Sequence, residues 1–319
     1  MNKKLLALAV GAAISAAPMF ASAGVKVYGH AQVEIGSVDN GTTDQTVVTD
    51  NARGRLGVKA SEKLGNGLTA LAKFEWKLDT TSGGAATGQR ESFVGLKGGF
   101  GTVELGNLKS AYKYSGGVKY DPFVATLLEA RGRNGMSKGE LGNGAFGHNS
   151  FLSNSVGYKT PKMGGFSAWA TFSPDEAGAG NGADGDYSFG LKFKQKMFEV
   201  FVAGINNDDA AGGDAIKIGG QVKFGNFKVS GQYEQLDTST GDIDIFFLGG
   251  QAKFGNNVVV AQFGNKDVDG GNDGDYYTLG FIHNMSKKTR LTAGFSSNES
   301  LTTGGSDTDI FAVGMRMKF

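Results

Sequence analysis

From residue 24 onward, apolar and polar residues alternate with a period of two almost everywhere along the chain. Phe227, Val229 and Tyr233 alternate with Lys228, Ser230, Gln232 and Glu234. Tyr187, Phe189, Leu191 and Phe193 alternate with Ser188, Gly190, Lys192 and Lys194, and Leu291, Ala293 and Phe295 with Arg290, Thr292 and Ser296. Successive side chains of a strand point to opposite faces, so each window predicts a strand with one apolar and one polar face. Sixteen strands are predicted, starting near Val25, Arg53, Leu68, Arg90, Gly101, Asn154, Gly165, Tyr187, Met197, Ala215, Phe227, Asp242, Val258, Asp275, Thr289 and Thr308.

The connections come in two lengths that strictly alternate. The tight ones are Gly65-Asn66-Gly67, Gly98-Gly99, Gly164-Gly165, Gln195-Lys196, Gly225-Asn226, Gly255-Asn256-Asn257 and the stretch around Ser286-Lys287. Gly and Asn supply the positive φ that short hairpin turns require. The others are longer and rich in Gly, Asp, Ser and Thr. In an up-and-down barrel this alternation puts every short turn on one rim and every long loop on the other. A soluble sandwich also alternates, but it buries its apolar faces against each other and needs no alternation of loop length. The expected fold is therefore all-β: a transmembrane antiparallel up-and-down barrel of sixteen strands in one domain, residues 24–319. The last strand, Thr308 to Phe319, sets Phe311, Val313, Met315, Met317 and Phe319 on one face and Arg316 and Lys318 on the other. In a closed barrel it pairs with the first strand and leaves no edge exposed.

Residues 1–23 read differently. Lys3 and Lys4 precede an apolar stretch, Leu5 to Phe20, and the small-x-small site Ala21-Ser22-Ala23. This is the layout of a secretory signal peptide, and the apolar stretch is short for a membrane anchor. Composition narrows the function. The 319 residues include 53 Gly, 23 Phe and no Cys, so neither disulfides nor thiolate metal sites are in play. A formal net charge of +1 is no footprint for nucleic acid.

Several segments together resemble the trimeric general diffusion porins of Gram-negative bacteria. They are Val27-Tyr28-Gly29-His30, Arg55-Leu56-Gly57-Val58-Lys59, Glu62 through Ala70, Arg90-Glu91-Ser92-Phe93-Val94-Gly95-Leu96-Lys97, Phe100 through Gly106, and Asn154 through Phe166. The resemblance covers the whole chain after residue 23. It implies a homotrimer packed through the early strands, contact with outer-membrane lipid and lipopolysaccharide, and a third long loop folded into the lumen. An aromatic final residue resembles the signal read by outer-membrane assembly machinery. The chain departs from the pattern at Asn107, where many relatives carry an arginine, and at His30 and Phe151, where relatives often carry a basic residue.

The longest connection, residues 110–153, is 44 residues, and loops of such length are usually functional. As the third long loop it is the expected constriction. It holds five basic residues (Lys113, Lys119, Arg131, Arg133, Lys138) and three acidic ones (Asp121, Glu129, Glu140). The other long loops are acidic, with Lys266 as their base. Arg53, Arg55, Lys59, Lys73 and Arg90 fall on the polar phase of the second to fourth strands, which faces the lumen. The resemblance makes Arg55 and Arg90 the foremost wall residues, joined by Arg53 and Lys73. Glu129, Asp121 or Glu140 is their expected loop partner. Arginines facing acids across a narrow gap set up a transverse field that orients solutes and biases ion flow.

Other motifs carry less. Asp267 through Asp275 looks like a calcium loop, but its twelfth position is Thr278 where an EF-hand needs Glu. His148-Asn149-Ser150 invites a hydrolase reading, but adjacent residues of one loop rarely converge as nucleophile and base. No enzyme activity, metal or cofactor is expected. Trp76 shares the lipid-facing phase of Phe74, whereas the phase of Trp169 is ambiguous. The function expected is passive diffusion of small hydrophilic solutes and ions through a water-filled outer-membrane channel. The alternatives are a sugar- or phosphate-specific porin, and a surface adhesin or receptor barrel. A sugar channel would need aromatic residues on the lumen face.

Overall fold

A computed structural model describes residues 24–51, 53–82, 87–138, 148, 151–174, 185–207 and 213–319. The proposed signal peptide, 1–23, and Glu140 lie outside them. The chain begins with β1 (Gly24–Asp39), β2 (Asp44–Thr49), β3 (Gly54–Gly65), β4 (Leu68–Leu78), β5 (Thr87–Gly98) and β6 (Gly101–Lys109). A helix, α1 (Ala111–Ser115), and a 3-10 turn (Val118–Tyr120) follow in the longest connection. Then come β7 (Phe151–Lys159), β8 (Phe166–Ser173), β9 (Asp186–Lys194), β10 (Phe198–Asn207), β11 (Gly213–Phe224) and β12 (Phe227–Thr238). The last are β13 (Gly241–Phe254), β14 (Asn257–Val268), β15 (Gly274–Asn284), β16 (Thr289–Asn298) and β17 (Thr308–Lys318).

From β3 onward neighbours in sequence pair antiparallel, and β1 closes the ring against β17, from His30 opposite Lys318 to Asp39 opposite Asp309. On its other edge β1 pairs first with β3 and then with β2. These two segments are one crossing interrupted at residues 50–53, so the seventeen segments among the described residues make sixteen crossings. Closure satisfies every ladder without a free edge, which hydrocarbon demands. Each expected strand start lies close to an observed one, because period two and turn chemistry are local properties. Gly225, with φ of +56°, makes the two-residue turn between β11 and β12.

The burial pattern is that of a protein in lipid. On β12, Phe227 and Tyr233 are 50% and 41% exposed, while Ser230 and Glu234 are 1% and 0% exposed. Apolar side chains face out and polar ones in. One arc departs from this. Inward positions on β10 (Phe201, Ala203, Ile205), β12 (Leu236), β13 (Ile245, Phe247) and β15 (Tyr276) are apolar, and they form one core with Tyr112, Tyr120, Ala130 and Met136 of the long connection. A second core joins Phe123 and Leu128 of that connection to Val260 on β14, Ile282 on β15, and Ile310 and Ala312 on β17. The described residues of the connection between β6 and β7, 110–138 and 148, therefore lie inside the barrel against the β10–β17 arc. Burying each such side chain contributes about 1.5–3 kcal/mol. Gly264 admits the approach: a Cβ there would meet the Cα of Gly135 in the loop.

Candidate functional site

Among the polar groups that fix the inserted loop are two buried carboxylates, Glu234 and Asp121. Glu234 on β12 accepts hydrogen bonds from the Tyr112 hydroxyl (2.7 Å) and from the Ser137 hydroxyl (2.6 Å), and it lies 3.2 Å from His148 Nε2. The Lys217 ammonium of β11 lies 2.9 Å from His148 Nδ1 and 3.9 Å from the centre of the Tyr112 ring. One wall carboxylate thus holds both ends of the described loop. Burial, followed by the nearby Lys217 charge, pushes the His148 imidazole down to about 4, against the pull of Glu234. His148 is a structural residue here; its expected companions Asn149 and Ser150 lie outside the described residues.

Asp121 is the second anchor. It accepts from Phe123 N (2.7 Å), Ala130 N (2.9 Å) and Gln262 Nε2 (3.0 Å). Burial pushes its carboxyl up to about 6 despite the hydrogen bonds from Gln262 and Ala130. It is turned into the loop and does not face the arginines. Glu129 does: its carboxylate lies 2.7 Å from Arg53 and 3.1 Å from Arg131.

Across from the covered arc, the loop touches β1, where Glu34 accepts from Leu127 N at 2.8 Å, but stands off from much of the β1–β6 wall. Between it and the loop is an opening of about 280 Å³ lined by Arg53, Arg55, Arg90, Lys109, Lys113, Lys119, Arg131 and Arg316, with Tyr114, Gly116, Val118, Val124 and Ala125. None of these thirteen residues is acidic. The carboxylates stand behind the cations. Glu75 on β4 accepts from Arg90 Nε at 2.7 Å and lies 3.9 Å from Arg55; Arg55 is 28% exposed and Glu75 only 2%. Glu91 lies 3.0 Å from Lys109, with exposures of 5% and 21%. Lys119 is 43% exposed over Glu199, which is 1% exposed. Lys73 pairs with Glu75 and Glu91 and does not line the opening.

Register explains part of this. The β4–β5 ladder shifts between Phe74 and Trp76, opposite Arg90 and Glu91, and both of those residues are buried. A bulge lets adjacent residues share a face, so an arginine and its neighbouring acid both turn inward. The three departures from the family pattern support the cations. Asn107 donates to the Arg90 carbonyl. His30 Nε2 lies 3.0 Å from the Arg53 carbonyl. The Phe151 ring lies 3.9 Å from Lys113 Nζ and 5.2 Å from the Arg90 guanidinium. Sequence reasoning missed Glu75 and Glu91 as the backing acids, since only the pairing register brings β4 and β5 to the same point. Among the described residues no group of His, Cys, Asp and Glu is arranged to hold a metal, the acidic β14–β15 turn included.

The family model for Gram-negative porins matches residues 7–303. The chain belongs to the Gram-negative porin family. The porin is 30% identical over 222 residues to the major outer membrane protein P.IB of Neisseria gonorrhoeae, a match covering 64% of this chain and 57% of that relative. It is 29% identical over 330 residues to outer membrane porin protein 32 of Delftia acidovorans, covering 96% and 92%. In fold it is similar to an anion-selective porin from Comamonas acidovorans, with a TM-score of 0.78 at 24% identity over 93% of this chain and all of that one. The porin is an outer-membrane barrel, and the family and fold are those of channels.

Proposed function

We propose that the porin is a homotrimeric passive diffusion channel for small hydrophilic solutes and ions. Residues 1–23 are its signal peptide, and the connection 110–153 is its constriction loop. The opening between that loop and Arg53, Arg55 and Arg90 is the narrowest point, and it prefers anions. The observation that carries this reading is the layering of charge: eight cations line the opening, and the carboxylates that touch them lie behind it. An ion in the opening meets the cations at short range and the acids only through them. Low-dielectric walls strengthen such a field. Glu129 and Asp121 take different parts, Glu129 trimming the field beside Arg53 and Asp121 shaping the loop.

Reversal potentials across a planar bilayer in a salt gradient test the sign. Near 1 M salt, where the screening length is about 3 Å, the acidic outer loops act weakly and the potential should report anion preference. Cation preference under those conditions would overturn the reading. Stepwise conductance in threes is expected of the trimer.

A further inference from the structure

The lumen is not free of aromatic side chains. Tyr114 of α1 is the aromatic residue in the lining of the opening, and it is 43% exposed. Its ring stands against Trp169 of β8, with centroids 5.3 Å apart and planes at 68°. Lys192 Nζ lies 4.8 Å from the centre of the Trp169 ring. Trp169 therefore faces inward, which settles the ambiguity of its phase. Lys159 Nζ sits 4.7 Å from the centre of the Tyr114 ring and donates to both oxygens of Glu104, at 2.9 and 2.7 Å. Tyr114 is braced on two sides by groups that are themselves held, and it still presents ring surface to the channel. Other lumen rings are more fully engaged. Phe151 lies between Lys113 and Arg90, and Tyr28 carries Lys59 and Lys73 while its hydroxyl donates to Glu75 at 2.9 Å.

We propose that Tyr114, backed by Trp169, is a stacking rest for aromatic carboxylates. The arene lies on the exposed ring of Tyr114 while its carboxylate is held by Lys113, Lys109 and Arg90 of the same lining. The two contacts are complementary. The cations admit any small anion, and the ring adds attraction only for those with a π face. Offset or edge contacts between rings add favourable energy beyond area alone, and a neutral arene lacks the pull of the cations. The proposal rests on the anion reading of the opening and adds the solute class that lingers there.

The test uses the whole porin in planar bilayers. Chloride conductance is titrated with benzoate, with cyclohexanecarboxylate and with benzyl alcohol, each normalised to the untreated channel. Benzoate should block at a concentration about two- to tenfold lower than cyclohexanecarboxylate, and lower than benzyl alcohol. Tyr114→Leu and Trp169→Leu, each read against its own chloride conductance, should bring the two acids level. Equal block by the two acids in the unaltered porin overturns the proposal without needing any variant, and so does a benzoate preference that survives Tyr114→Leu. Reversal potentials on the same membranes separate the failures. Cation preference sinks the anion reading, whereas equal block in an anion-selective channel sinks only the stacking rest.

Discussion

The inner wall of the porin divides into two arcs built by opposite rules. From β10 to β17, inward positions such as Phe201, Ile245 and Ile282 are apolar, because the inserted loop removes them from water. From β1 to β6 most inward positions are polar or charged; Arg55, Arg90 and Lys109 line the opening, while Glu34 of β1 accepts from Leu127 N of the loop. The loop does two jobs with two faces. Tyr112, Tyr120, Phe123 and Leu128 bond it to one arc, while Lys113, Lys119 and Arg131 face the other. In the proposed channel, selectivity would depend on the open arc only while the loop stays seated.

Releasing the loop should have the largest effect. Glu234→Ala removes the acceptor for Tyr112 and Ser137 and leaves Lys217 of the wall and His148 of the loop buried without their carboxylate. Breaking a buried pair this way costs about 3–5 kcal/mol. Single-channel conductance should rise and the unfolding temperature in detergent should fall; unchanged values of both would show that Glu234 does not hold the loop. Changes on the open arc should be smaller and leave conductance near its original level. Arg90→Gln should lower the anion-to-cation permeability ratio by about two- to threefold, as expected for one charge within a few ångströms in screened water. Glu129→Gln should raise the ratio, and by less, because Arg53 and Arg131 already neutralise Glu129. Reversal potentials measure both.

Acid should expose a hidden balance within the covered arc. Asp121, held up to about 6, seats the loop better when protonated. Its contribution is complete below about pH 4, the ordinary carboxylate value, and is lost as pH rises through about 6. His148, held down to about 4, seats the loop when neutral. Its contribution is present above about pH 6.5 and is lost as pH falls through about 4. The two oppose each other across the same window, so the conductance of the unaltered porin should change little between pH 7 and 4. Asp121→Asn removes one side of the balance, and its conductance should climb as pH falls. A flat profile for that variant would show that His148 does not hold the loop.

The fold was legible because its signals are local. Alternation fixes which residues share a face, and Gly-Asn turns such as Gly225-Asn226 fix where strands reverse. The open-arc arginines were legible for the same reason, as charges on the polar phase. What the loop covers was not. Phe201 and Val200 make β10 apolar on both faces, which reads as a blurred strand until Tyr112 and Tyr120 are seen packed on it. Nor could spacing choose between Asp121 and Glu129, because that depends on the backbone amides of Phe123 and Ala130 that hold Asp121 within the loop and on Arg53, which holds Glu129. Trp169 was ambiguous because its neighbours Ala168 and Ala170 are small and carry little phase information.

The opening should be electropositive where a solute passes. The porin has no cysteine, so Val118→Cys, in the lining beside Lys119, gives a single reporter thiol. Its reaction rates with an anionic and a cationic methanethiosulfonate of similar size, each divided by the rate with free cysteine, measure the local potential. The anionic reagent should react several-fold faster, the ratio shrinking as salt rises. Equal rates, or a faster cationic reagent, would contradict the account.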